Sequence, residues 1–175
     1  RTPGQKAKPS TCIVPDIPGI PLTEFPLEPI KLYLVATNAP WYKHKGVRSM
    51  IWDFKGQVEG EGDDMKLISE YQVIIHGACY TGTATEWSDP DDPTQTTYVM
   101  KIELKGTDGK IQTWQVKERV IYMRHDMIVT YRCDKEHPEG GCLKPIFYVW
   151  STNEHIRHGA LLHMYDKAKE HSTDH

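Results

Sequence analysis

Several things are missing from this 175-residue chain, and each absence closes one line of explanation. No run of apolar residues approaches the roughly 20 needed to cross a bilayer as a helix, so no membrane span is expected. Charge of either sign is not in excess. The 21 Lys and Arg stand against 24 Asp and Glu, a formal charge of −3, which offers no surface for a polyanion and argues against nucleic acid as a partner. Neither Asn38 nor Asn153 opens an Asn-x-Ser/Thr acceptor, so N-glycosylation is not expected. A Gly-x-Ser-x-Gly elbow, a phosphate-binding Gly-x4-Gly-Lys-Ser/Thr loop and a His-Glu-x-x-His helix are all missing. The catalytic set is therefore empty, and the chain does not read as an enzyme. No pair of cysteines has Cys-x-x-Cys spacing, which leaves a zinc knuckle or a thioredoxin-type redox motif unsupported. His155 and His158 are three apart and His163 follows five later, but no matched third ligand accompanies them, so no metal is expected. The acidic run Gly60–Asp64 lacks the spaced ligands and closing Glu of a calcium loop and reads as a solvated turn.

What is present is β-rich. Residues 119–151 hold three short runs of Val, Ile, Tyr, Phe and Trp: Val120–Met123, Met127–Arg132 and Ile146–Trp150. They are separated by Arg124-His125-Asp126 and by Asp134–Lys144 with its Pro138, Gly140 and Gly141, as in an antiparallel meander. Upstream, strands are expected over Lys31–Asn38, Val47–Glu59, Met65–Ile75, Cys79–Trp87, Thr97–Lys105 and Lys110–Lys117, with Pro40–Gly46 a loop carrying an exposed aromatic pair. Residues 1–30 contain seven prolines and should run extended over the surface. From Glu154 to Glu170 the apolar period becomes helical, with Thr152 or Asn153 as N-cap. One domain follows from this: a proline-rich arm over 1–30, a barrel over 31–151, and a C-terminal helix and tail over 152–175 packed on it. About eight antiparallel strands in succession can close into an all-β, up-and-down barrel enclosing a ligand-sized cavity. A packed sandwich core is the alternative. Four cysteines suit two disulfides in an oxidising compartment, and the initial Arg reads as a processed start, so a secreted, extracellular protein is expected.

The same stretches carry a resemblance. Cys12-Ile13-Val14-Pro15, Leu32–Ala36, Tyr71–Gly77 followed by Gly82-Thr83-Ala84, Met127–Cys133 and Phe147–Ser151 resemble, in order, segments of the lipocalins, above all the insect bilin-binding proteins and insecticyanins. Three family hallmarks read differently here. Gly-x-Trp is Ile30-Lys31-Leu32, Thr-Asp-Tyr falls near Tyr122-Met123-Arg124, and the Arg after the last strand is Thr152. The resemblance implies a lipocalin-like eight-stranded barrel carrying a small hydrophobic ligand. No cofactor is required for that role. A bound chromophore, biliverdin-like tetrapyrrole or carotenoid, is implied first, and then a retinoid, fatty acid or other lipid. An effector that scavenges amines, lipids or host proteins through its loops is a further alternative. A homo-oligomer is left open.

Candidate ligand-binding residues follow. Trp52, Phe54, Trp114, Tyr148 and Trp150, with Met100 and Ile102, are candidates for inward faces, and Leu34 and Asn38 of the first strand join them. The resemblance puts Glu70 and Gln72 inside, where polar groups orient a ligand, and Arg132 near the mouth, where it meets a carboxylate. His76 either faces the ligand or satisfies backbone. The resemblance also implies the disulfides Cys12–Cys133 and Cys79–Cys142. Cys79, the one candidate nucleophile for an isomerase, would then be engaged.

Overall fold

In the computed structural model the structure describes residues 16–44 and 46–155. Eight strands follow one another: β1 (Ile30–Thr37), β2 (Val47–Glu59), β3 (Lys66–Ile75), β4 (Ala78–Ser88), β5 (Tyr98–Gly106), β6 (Ile111–Arg124), β7 (Met127–Cys133) and β8 (Pro145–Ser151). Each pairs antiparallel with its successor, and β8 returns to β1, so the sheet is a closed eight-stranded up-and-down barrel. The expected fold class is what is found. Closure leaves no unpaired strand edge among these eight.

Burial alternates most clearly along β3, whereas β7 is buried on both faces from Met127 to Tyr131. Inside lie Leu32, Trp52, Tyr71, Val73, Ala84, Tyr98, Met100, Leu104, Tyr148 and Trp150, which form one contiguous cluster. Small residues let adjacent strands meet where side chains would collide. A β-carbon on Gly82 would fall 1.9 Å from the Glu103 carbonyl oxygen of β5. Chain 16–29 straps one end of the barrel. The Ile20 amide donates to the Val120 carbonyl at 2.8 Å, and Arg119 holds Asp16 and the Ile17 carbonyl. A 3-10 turn, Leu22–Glu24, sets Leu22 on Phe54 and Leu67.

Four expectations change. Lys110–Lys117 and Val120–Met123 are not two strands but the single β6, because Lys117-Glu118-Arg119 continues the pleat. Pro40–Gly46 is not simply a loop: Pro40–His44 forms a short helix, α1. Cys133 bonds Cys142, with Cα atoms 5.8 Å apart, so the pairings Cys12–Cys133 and Cys79–Cys142 are both overturned. The β7–β8 loop folds back on itself, Asp134 N donating to Lys144 O at 2.9 Å, and that local geometry brings the two cysteines together. Cys79 is a free thiol. The C-terminal helix expected from Glu154, with His158 and His163, and also Cys12, lie almost entirely or wholly outside the described residues.

Candidate functional site

The barrel interior is not filled. A cavity of about 280 Å³ lies toward the end carrying α1, the β3–β4 turn and the β7–β8 loop. Its wall is overwhelmingly apolar: Val47, Met50, Val73, Ile75, Ile102, Leu104, Trp114, Val116 and Trp150. Most come from the inward parity of their strands, and on β2 the irregularity after Val47 brings both Val47 and Met50 to the cavity. At the mouth, α1 swings Trp41 over the rim. Its Nε1 donates to the Tyr148 hydroxyl at 3.2 Å, and the two rings lie 6.1 Å apart.

Deeper in, apolar wall gives way to acid. Glu118 of β6 lines the cavity and is 8% exposed, and Glu86 of β4 is 1% exposed. Both flank β5, where Glu86 pairs with Met100 and Glu118 with Tyr98 in the strand register. Neither Glu86 carboxylate oxygen has a hydrogen-bond partner, nor has the buried Tyr98 hydroxyl. Burial pushes the Glu86 carboxyl up to about 8, and the Glu118 charge adds to that. Burial likewise raises Glu118 to about 7, against the pull of the Arg132 guanidinium. Arg132 lines the cavity too, stacked 5.7 Å over the Tyr148 ring. Its Nε lies 3.1 Å from Asp134 Oδ1 but off hydrogen-bond alignment, so that contact is ionic only. A buried carboxylic acid with no partner is costly, and it gains most from a ligand that donates to it.

The structure disperses part of the expected set. Met100, Ile102, Trp114, Arg132, Tyr148 and Trp150 line this cavity. Trp52 stacks on Tyr71 at 6.2 Å below it, and Phe54 lies farther toward the strap with Leu22 and Leu67. Glu70 and Gln72 face outward, which corrects the expected parity of β3: both are exposed, and Glu70 pairs with Lys55 at 3.0 Å. Tyr71 and Val73 hold the inward positions instead. Asn38 is exposed and clips β8, its amide donating to the Pro145 carbonyl and its Oδ1 accepting from the Phe147 amide. His76 is exposed in the β3–β4 turn with φ +49°, its backbone amide donating to Gly46 O, and it does not line the cavity. Leu34 packs against the core cluster without lining the cavity. Cys79 stands on the outer parity of β4, near Gln72 Nε2 at 3.5 Å. Glu86 and Glu118 were missed. Their signal was available: Glu86 continues the parity of Tyr80 and Ala84, and Glu118 that of Val116 and Val120.

No family model matches the sequence, and no curated protein matches it. Among solved structures the chain is similar to insecticyanin from the tobacco hornworm Manduca sexta, with a TM-score of 0.59 at 14% identity, covering 90% of this chain and 78% of that one. It is also similar to a siderocalin, Ex-FABP, described as functioning through dual ligand specificities, with a TM-score of 0.49 at 14% identity, covering 83% and 87%. At that identity the likeness to insecticyanin is one of fold.

Proposed function

We propose that the protein is an extracellular, non-enzymatic carrier that takes up a small molecule with an apolar, aromatic body and a protonated amine at its inner end. The observation that carries this is Glu118, buried in the wall of a cavity that is otherwise apolar but for Arg132, with the unpartnered Glu86 carboxyl on the other side of β5. An ammonium group meets the Glu118 carboxyl there, while its ring packs against Trp114, Trp150 and Tyr148. Sequestering such an amine is the scavenger form of a carrier. The volume favours a compact occupant, because about 280 Å³ sits at or below the lower end of the range for drug-sized ligands. The Cys133–Cys142 bridge supports an oxidising, extracellular setting.

A second reading keeps the hydrophobic carrier with an acid-bearing ligand, a biliverdin-like pigment or a lipid, and Arg132 on the cavity wall is the observation in its favour. A linear tetrapyrrole would have to extend through the mouth past Trp41. One titration separates the two. Tryptamine and indole-3-propionate share a ring and differ in the sign of their charge. We expect tryptamine to bind saturably by calorimetry at pH 8 and indole-3-propionate to bind at least tenfold more weakly. Glu118→Gln should weaken tryptamine by roughly 10- to 100-fold, the scale of a hydrogen bond to a charged group. Preference for the propionate, or visible circular dichroism induced in added biliverdin with no amine binding, would put the acid-bearing ligand first.

A further inference from the structure

A second cavity lies at the strapped end of the barrel, with a volume of about 470 Å³. Phe25 of the strap, Phe54, Leu67 and Ile128 give it apolar walls, Glu28, Lys31, Arg124, His125 and Thr152 add polar groups, and Trp52 and Ser69 lie among them. These last two set its chemistry. Trp52 is 6% exposed and Ser69 2% exposed, yet neither Trp52 Nε1 nor Ser69 Oγ has a hydrogen-bond partner. Ser69 takes an inward position on β3, opposite Phe54 on one side and Ala84 on the other. An indole N–H can only donate, and a hydroxyl can donate as readily as accept. What both would gain from is one acceptor.

The charges around this cavity argue that the acceptor is neutral. Arg124 is already engaged by Asp126 through two contacts, at 2.6 and 3.2 Å. Lys31 is exposed, its ammonium 5.7 Å over the Tyr33 ring. Glu28 is exposed as well. A carboxylate placed on Trp52 and Ser69 would be a buried charge, while the Lys31 ammonium and the His125 ring of the lining are both exposed to solvent, an expensive arrangement. The upper cavity is walled off by the same aromatic group: Trp52 lies 6.2 Å from Tyr71 and 5.6 Å from Trp150, centroid to centroid, and both of those line the upper site. Two ligands of different chemistry therefore have separate seats.

We propose that the strapped-end cavity is a second ligand site, taking a small uncharged apolar molecule with a single hydrogen-bond acceptor, of the ketone or ester class. It does not depend on the amine reading of the upper cavity. The test uses the full chain and 2-nonanone, nonane and nonanoate as probes, followed by calorimetry and by proton contacts in NMR. Saturable binding of 2-nonanone is expected, stronger than nonane or nonanoate, with contacts to the Phe25 and Phe54 rings. Ser69→Ala should weaken it by about 2- to 12-fold, one neutral hydrogen bond, and Ser69→Leu should abolish it while the circular dichroism spectrum is unchanged. Should Ser69→Leu fail to fold, the ring contacts and the Ser69→Ala shift decide. Absence of binding, equal binding of nonane or nonanoate, or contacts to Trp114 and Ile102 in place of Phe25 and Phe54 would overturn the proposal.

Discussion

Glu86 shows what a single carboxyl does when a fold gives it no partner. In the unfolded chain it ionises near 4.5, and in the barrel burial first, then the Glu118 charge, hold it protonated up to about 8. A raised acid makes a contribution to stability that is fully present below the unfolded value and is lost as pH rises through the folded one. Glu118, raised to about 7, acts in the same direction. The ligand-free protein should therefore lose on the order of 7 kcal/mol between pH 5 and pH 8.5, Glu86 contributing from pH 5 to 8 and Glu118 from pH 5 to 7 at about 1.36 kcal/mol per pH unit. Asp92, Asp108 and Asp126 are shifted the opposite way, chiefly by hydrogen bonds to their carboxylates, so their stabilisation is lost only as pH falls through the acid range and leaves this window clear. Urea midpoints at the two pH values measure the loss, and Glu86→Gln should flatten it. A midpoint that rises with pH would show that the acid is partnered in solution.

Two elements show how far pattern reading reaches. Strands β2 and β5 were legible because turn residues bound them and their apolar residues alternate, and β7 and β8 because turn residues bound short runs rich in β-branched and aromatic side chains. Parity was harder on β3. Glu70-Tyr71-Gln72-Val73 alternates equally well in either phase, and what decides it is which pair finds a filled neighbourhood: Tyr71 meets Trp52 and Trp150, whereas Glu70 meets Lys55 in solvent. The charged triplet in β6 looked like a break for a related reason. Its three charges go to three places, Lys117 out to Asp89 at 2.9 Å, Glu118 into the cavity and Arg119 to the strap. The β7–β8 loop is the other lesson, since its disulfide closes nine residues and depends on a local turn that no spacing rule reveals. For so short a loop the chain-entropy contribution is roughly 2–3 kcal/mol. Replacing both Cys133 and Cys142 by Ser should lower stability by about that amount without altering cavity binding, as thermal unfolding and tryptamine titration would report. A loss of binding in that double variant would mean the loop shapes the mouth directly.

For the molecule as a whole, the feature with the longest reach is the seam where β8 meets β1. There the Thr37 hydroxyl donates to the Phe147 carbonyl at 2.8 Å across 110 residues of chain. All other sheet pairings join neighbours in sequence and are expected to form early, because closing a short loop costs little entropy. The seam cannot form until the last strand exists. A chain emerging from the ribosome therefore carries β1 with one side unpaired for almost the whole of its synthesis, and β7 with one side unpaired until β8 follows it. Both are templates for a foreign strand during that interval. A version ending at residue 144 should accordingly be recovered as oligomers by size exclusion, whereas the 175-residue chain is not driven to associate through those edges. Recovery of the shortened chain as a stable monomer would mean that seven strands already seal themselves. The barrel's wall is thus also a timing device: the protein becomes safe to release only when its final strand is in place.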